Sequence, residues 1–194
     1  MQGSLWAEAR LALSSIADTA SKFDEDGIDI HFINSKKEGL NVKSSRQVMD
    51  LFDSIRPYGS TYLGRTLDVL LGDYLDEIEA AKPDKVALRK IKPKNFIVIT
   101  DGEPSDDPEE VIANAAKRLD AGKFPLAQLG IQLVQIGRGE EAKRYLNRLD
   151  NTLTEKYQIR DIVDTTPYFG QISHDALIKI MLGGINRKMD RSKA

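Results

Sequence analysis

The run NFIVIT, residues 95–100, limits the possible folds more than any other stretch of the chain. Phe96 to Ile99 are four consecutive large apolar or β-branched residues without alternation, and the run is too short for an ordinary helix. An apolar segment of this kind is a strand covered on both faces, as in parallel sheets flanked by helices. LGIQLVQI, residues 129–136, reads as another strand. Between the two, Pro108 stands at a first helical position behind Asp106 or Asp107 as cap, and helical spacing continues to about Leu119. Strands that alternate with helices in this way give an α/β protein with a mainly parallel sheet.

The rest of the chain fits that plan. Residues 4–21 carry Leu5, Ala9, Leu13, Ile16 and Ala20 at helical spacing, with Ser4 as N-cap. GIDIHFIN (27–34) alternates as a strand, residues 35–38 read as a turn, and 39–42 as a short second strand. Ser44 or Ser45 caps a helix through Ile55. RPYGST (56–61) is a loop, and 63–80 is a strong helix. Residues 82–94 are basic and bracketed by prolines, as in a surface connection. A short helix at 140–149, a short strand at 162–164 and a helix from Ser173 to about Met189 complete the expectation of one domain over residues 1–194.

Composition excludes several classes. The net charge of -2, from 28 basic and 30 acidic residues, offers no global field for nucleic acid or anionic membrane. Without cysteine there are no disulfides or thiolate metal sites, and two histidines, His31 and His174, argue against a multi-histidine zinc centre. No apolar run approaches the roughly 20 residues of a membrane span. The N-terminus lacks the pattern of a signal peptide, so a cytoplasmic protein is expected.

In open α/β sheets ligands sit beyond the carboxyl ends of the strands. There the strand at 95–100 empties into TDGEPSDD. Asp106, Asp107, Glu109 and Glu110 read first as complements to the following helix N-terminus. Asp101 stands apart, because it follows the strand directly and precedes a glycine that permits tight backbone geometry. Its carboxylate, with a nearby hydroxyl, offers hard oxygen ligands of the kind Mg²⁺ takes.

The stretches YGSTYLGRTL (58–67), NFIVITDGEPSD (95–106) and GIQLVQIG (130–137) resemble those of a von Willebrand factor A domain, the fold also seen in integrin inserted domains. The resemblance implies a three-layer, doubly wound, Rossmann-like sheet. It also implies a metal-ion-dependent adhesion site to which Thr61 and Asp101 would contribute. In that family an Asp-x-Ser-x-Ser motif after the first strand supplies the other ligands, and a partner protein's acidic side chain completes the shell. Here the sequence starts at MQGSLWAEARLAL, so the first strand and its motif are missing and an N-terminally truncated domain is expected. Two inner strand edges would then lack ladder partners. Unpaired buried backbone groups cost about 1–3 kcal/mol each, against a total stability of about 5–15 kcal/mol.

The function implied is non-enzymatic protein binding, with Mg²⁺ in the intact parent and weak or no binding by Thr61 and Asp101 alone. One alternative is a metal-assisted hydrolase or phosphoryl-transfer enzyme; another is a degenerate scaffold without metal. Tyr58 and Tyr62 read as turn packing, Trp6 as core, and His31 as structural. The basic run reads as a solvated face, and QIGRGEE as a weak echo of a phosphate-cradling turn.

Overall fold

The computed structural model describes residues 1–168 and 174–182. The chain opens with helix α1 (Ser4–Ala20) and an antiparallel hairpin of strands β1 (Ile28–Phe32) and β2 (Ser35–Val42). Helices α2 (Ser45–Asp53), α3 (Leu63–Ala81) and α4 (Lys85–Lys90) follow. Then come β3 (Lys94–Thr100), α5 (Glu109–Ala121), β4 (Leu129–Ile136), α6 (Glu140–Tyr157), β5 (Val163–Tyr168) and α7 (His174–Leu182). The expected strands at 95–100 and 129–136 are β3 and β4. They pair in parallel, from Lys94 opposite Leu129 to Thr100 opposite Gln135. β5 pairs in parallel with the other side of β4, so the sheet order is β3-β4-β5.

Every residue of β4 is buried, as a strand sandwiched between helical layers requires. On one face Leu129, Ile131 and Leu133 pack with α3, α5 and α6 through Leu67, Leu71, Ile112, Leu119, Leu146 and Leu149. On the other, Val134 and Ile136 pack with Ala9, Ala12 and Ile16 of α1 and Ile180 of α7, together with Ile30 and Val42 of the hairpin. The chain is therefore α/β, with a three-stranded parallel sheet flanked by helices. Among the described residues no helix is long and apolar enough to cross a membrane.

Several local expectations change. Gly3 rather than Ser4 is the N-cap of α1, with no side-chain cap hydrogen bond, whereas Ser44 does cap α2 by accepting from the Gln47 amide. β2 is longer than residues 39–42, because the hairpin turns at Ile33 and Asn34 and pairs Phe32 with Ser35. The basic connection contains α4, whose N-cap Asp84 accepts from the Val86 and Ala87 amides. α6 runs on to Tyr157 because Tyr145, Leu146, Leu149 and Leu153 keep one buried stripe past residue 149. β5 extends to Tyr168. Ser173 and the stretch from 183 to Met189 lie outside the described residues, so the expected cap and end of the last helix do too. Trp6 packs against Phe52 and Phe32, with ring centroids 4.5 and 6.0 Å apart. His31 lies 3.3 Å from Glu38 across the hairpin.

Candidate functional site

The carboxyl end of β3 turns at Asp101 into the loop 101–107. A second loop, residues 56–62, leads into α3 beside it. The two are clasped reciprocally: the Thr61 amide donates to Ser105 Oγ at 3.0 Å, and the Ser105 amide donates to the Thr61 carbonyl at 2.7 Å. Asp106 strengthens the clasp. Its carboxylate accepts from the Gly64 and Arg65 amides at 3.0 and 2.9 Å, the free donors at the start of a helix whose N-cap, Tyr62, supplies no side-chain acceptor. Gly64 is needed for this approach, since a Cβ there would lie 2.9 Å from the Asp107 carbonyl oxygen.

The carboxylates thus separate into different roles from those expected. Asp106 caps α3, not the helix that follows it in sequence. Asp107 does serve α5, accepting from the Glu109 amide at 2.9 Å. Glu109 is buried at 6% exposure. Beyond its place in the first turn of α5, it takes Lys156 at 2.5 Å and Arg148 at 3.7 Å. Arg148 also reaches Glu103, at 4.0 Å. Burial, with Asp107 and Glu109 nearby, pushes the Tyr145 hydroxyl above its ordinary range. That hydroxyl has no hydrogen-bond partner among the described residues.

Thr61 and Asp101 are both half-buried on the two clasped loops. Asp101 Oδ2 lies 3.1 Å from the Met1 ammonium. The turn after β4 closes the same end of the sheet. Gly137 has φ 78° and faces Leu5 of α1, whose Cδ2 would lie 2.8 Å from a Cβ at that position. The Gln135 side-chain amide holds the Gly139 carbonyl at 2.9 Å. Tyr58 and Tyr62, expected as turn packing, are instead 65% and 48% exposed. The Tyr58 carbonyl is fixed by the Asn34 side-chain amide at 2.6 Å, so the ring stands out from an anchored backbone.

Among the described residues no group of three or more His, Asp or Glu is placed to hold a metal ion. One carboxylate and one hydroxyl do not make a self-sufficient Mg²⁺ site, which needs near-octahedral oxygen ligation and more than one charge or a substrate phosphate. Thr61 and Asp101 are at most a part of such a site. Comparison with family models, with curated proteins and with solved structures yields no match for the chain.

Proposed function

We propose that this chain is a non-enzymatic protein-binding domain of von Willebrand A type, and that its docking face is the clasped loop pair 56–62 and 101–107. One observation carries the reading. Thr61 and Asp101, forty residues apart in sequence, sit on two loops joined by the Thr61–Ser105 pair and by Asp106 on the α3 amides. A clasp of this kind pre-organises a surface, so less ordering entropy opposes binding. Two exposed tyrosines on an anchored loop add the residue type most enriched at binding hot spots. In this reading the sheet is the doubly wound, Rossmann-like one of that family, lacking its first strand. Mg²⁺ belongs to a parent that supplies the remaining ligands, where an acidic partner side chain would complete the shell. The domain acts in the cytoplasm, and neither nucleic acid nor membrane is its target.

The test is quantitative affinity capture from cell extract with the wild-type chain, with Asp101→Ala and with Tyr58→Ala/Tyr62→Ala. Val86→Ala, at an exposed position on α4, serves as control. Proteins retained by wild type and control and lost from both loop variants support the proposal. Capture that is indifferent to the loop substitutions contradicts it.

A further inference from the structure

Residues 82–94 are the most basic stretch of the chain. Six cations, Lys82, Lys85, Arg89, Lys90, Lys92 and Lys94, stand there against one anion, Asp84. The stretch nets +5 in a chain of net -2, which leaves -7 to all the other residues. Like charges held this close repel one another and work against the compact state. Two placements are unfavourable to the helix itself. Lys85 stands in the first turn of α4, where a cation opposes the helix dipole. Arg89 follows it at i+4, where like charges repel.

The fold fixes these residues as a strip at the amino end of β3. Leu88 and Ile91 pack inward against the core that α3 and α5 share. The Tyr74 hydroxyl of α3 meets the Lys92 carbonyl at 2.9 Å and the Gln128 side-chain amide at 2.6 Å, and the Lys94 amide donates to the Gln128 carbonyl at 3.0 Å. All six cations remain exposed. Among the described residues only Lys92 is paired, with Asp24 at 2.8 Å and Asp26 at 2.5 Å. The neighbouring acids are engaged elsewhere. Asp84 accepts from the Val86 and Ala87 amides, and Asp76 and Glu79 of α3 hold Arg118.

We propose that this strip is a docking surface for a short acidic segment of a partner protein. The segment's carboxylates pair with Lys85, Arg89 and Lys90 on α4, with Lys82 and Lys94 at the flanks, as in the recognition of acidic motifs by clustered cations. Other polyanions fit less well. The rings of Phe124 and Tyr74 lie beneath Lys82 and Lys94, at 5.7 and 5.1 Å from the ammonium groups, and both are buried, so they offer bases no stacking platform. The -7 carried by the other residues repels a long phosphate backbone. Asp24 and Asp26, held on Lys92 at the edge of the strip, would meet an anionic bilayer together with the cations. The strip lies at the opposite end of β3 from the loop face proposed above and does not depend on it.

The probe is a fluorescein-labelled synthetic peptide of about ten residues, glutamates and aspartates spaced by serines, titrated with the full chain and followed by anisotropy. The expected result is saturable binding that weakens as salt rises and that the glutamine and asparagine counterpart lacks. Lys85→Glu/Arg89→Glu/Lys90→Glu binds about tenfold more weakly. Lys36→Glu/Lys143→Glu/Arg144→Glu, at exposed positions outside the strip, changes net charge equally and binds within about twofold of wild type. Lys85→Glu alone also weakens binding yet melts no lower than wild type. It removes the first-turn cation and sets opposite charges at i and i+4, so unfolding does not explain its loss. No saturable binding, or equal loss in the two triple variants, overturns the proposal. So does tighter binding of a single-stranded oligonucleotide or of phosphatidylserine vesicles, which would assign the strip to phosphate groups.

Discussion

Replacing Asp106 by alanine tests the clasp directly. Its carboxylate accepts from two helix-terminal amides, at 3.0 and 2.9 Å, 42 and 41 residues away in sequence. Loss of an N-cap acceptor costs about 0.5–2 kcal/mol, and loss of a negative charge at a helix N-terminus about 0.3–1 kcal/mol. The α3 start supplies no replacement acceptor of its own, so the upper part of the range applies, about 2 kcal/mol in all. For a chain of this size a destabilisation of 1 kcal/mol lowers Tm by about 2–4 °C, so Asp106→Ala melts about 4–8 °C below wild type. Asp106→Asn keeps one carbonyl acceptor and loses about half as much. Thermal melts followed by circular dichroism give the shift, and hydrogen exchange locates it: the Gly64 and Arg65 amides lose protection while the β4 amides keep theirs. A Tm within 1 °C of wild type, or unchanged exchange at Gly64 and Arg65, refutes the capping role and leaves the Thr61–Ser105 pair alone to join the two loops.

Tyr74→Phe removes a buried hydroxyl that accepts from the Gln128 side-chain amide at 2.6 Å and lies 2.9 Å from the Lys92 carbonyl. Stranding those groups costs about 1–3 kcal/mol, readable as a lower urea midpoint at constant m-value. The Arg118 guanidinium holds the Glu79 carboxyl below its ordinary value of 4.5. A depressed carboxylate pKa contributes stability above the unfolded value and loses it as pH falls through the folded one. Between pH 5 and 3 the stability of Glu79→Gln therefore falls less steeply than that of wild type in denaturant titrations. Isothermal titration with Mg²⁺ in the low millimolar range gives no saturable signal, since one carboxylate and one hydroxyl, Asp101 and Thr61, supply too little ligand charge for a Mg²⁺ site. Tight binding lost on Asp101→Asn would contradict that reading.

How much of this was legible in the sequence depends on the distance over which each signal acts. The core strands were, because an unalternating apolar run such as Phe96–Ile99 has few other uses, and α3 was, because its apolar period persists over five turns. Thr61 and Asp101 were singled out in the sequence, and they lie on the two clasped loops. Asp106 was not legible: an aspartate two residues before a proline-started helix reads as a local cap, and nothing nearby in sequence shows that its loop folds back onto Gly64. The same holds for Glu109, whose burial depends on Lys156 and Arg148 from a helix that reads as ending at residue 149. The exposure of Tyr58 and Tyr62 was misjudged because aromatic side chains beside a turn usually pack. Here Asn34 of the hairpin binds the backbone at Tyr58 and leaves the ring outside.

The most direct measurement of the central claim is hydrogen exchange of the chain with a captured partner bound. Protection concentrated in residues 56–63 and 100–107, and lost with Tyr58→Ala/Tyr62→Ala, is the result predicted. Protection confined to the outer face of α6 or to the β1–β2 hairpin, with the two loops exchanging as in the free chain, would contradict it.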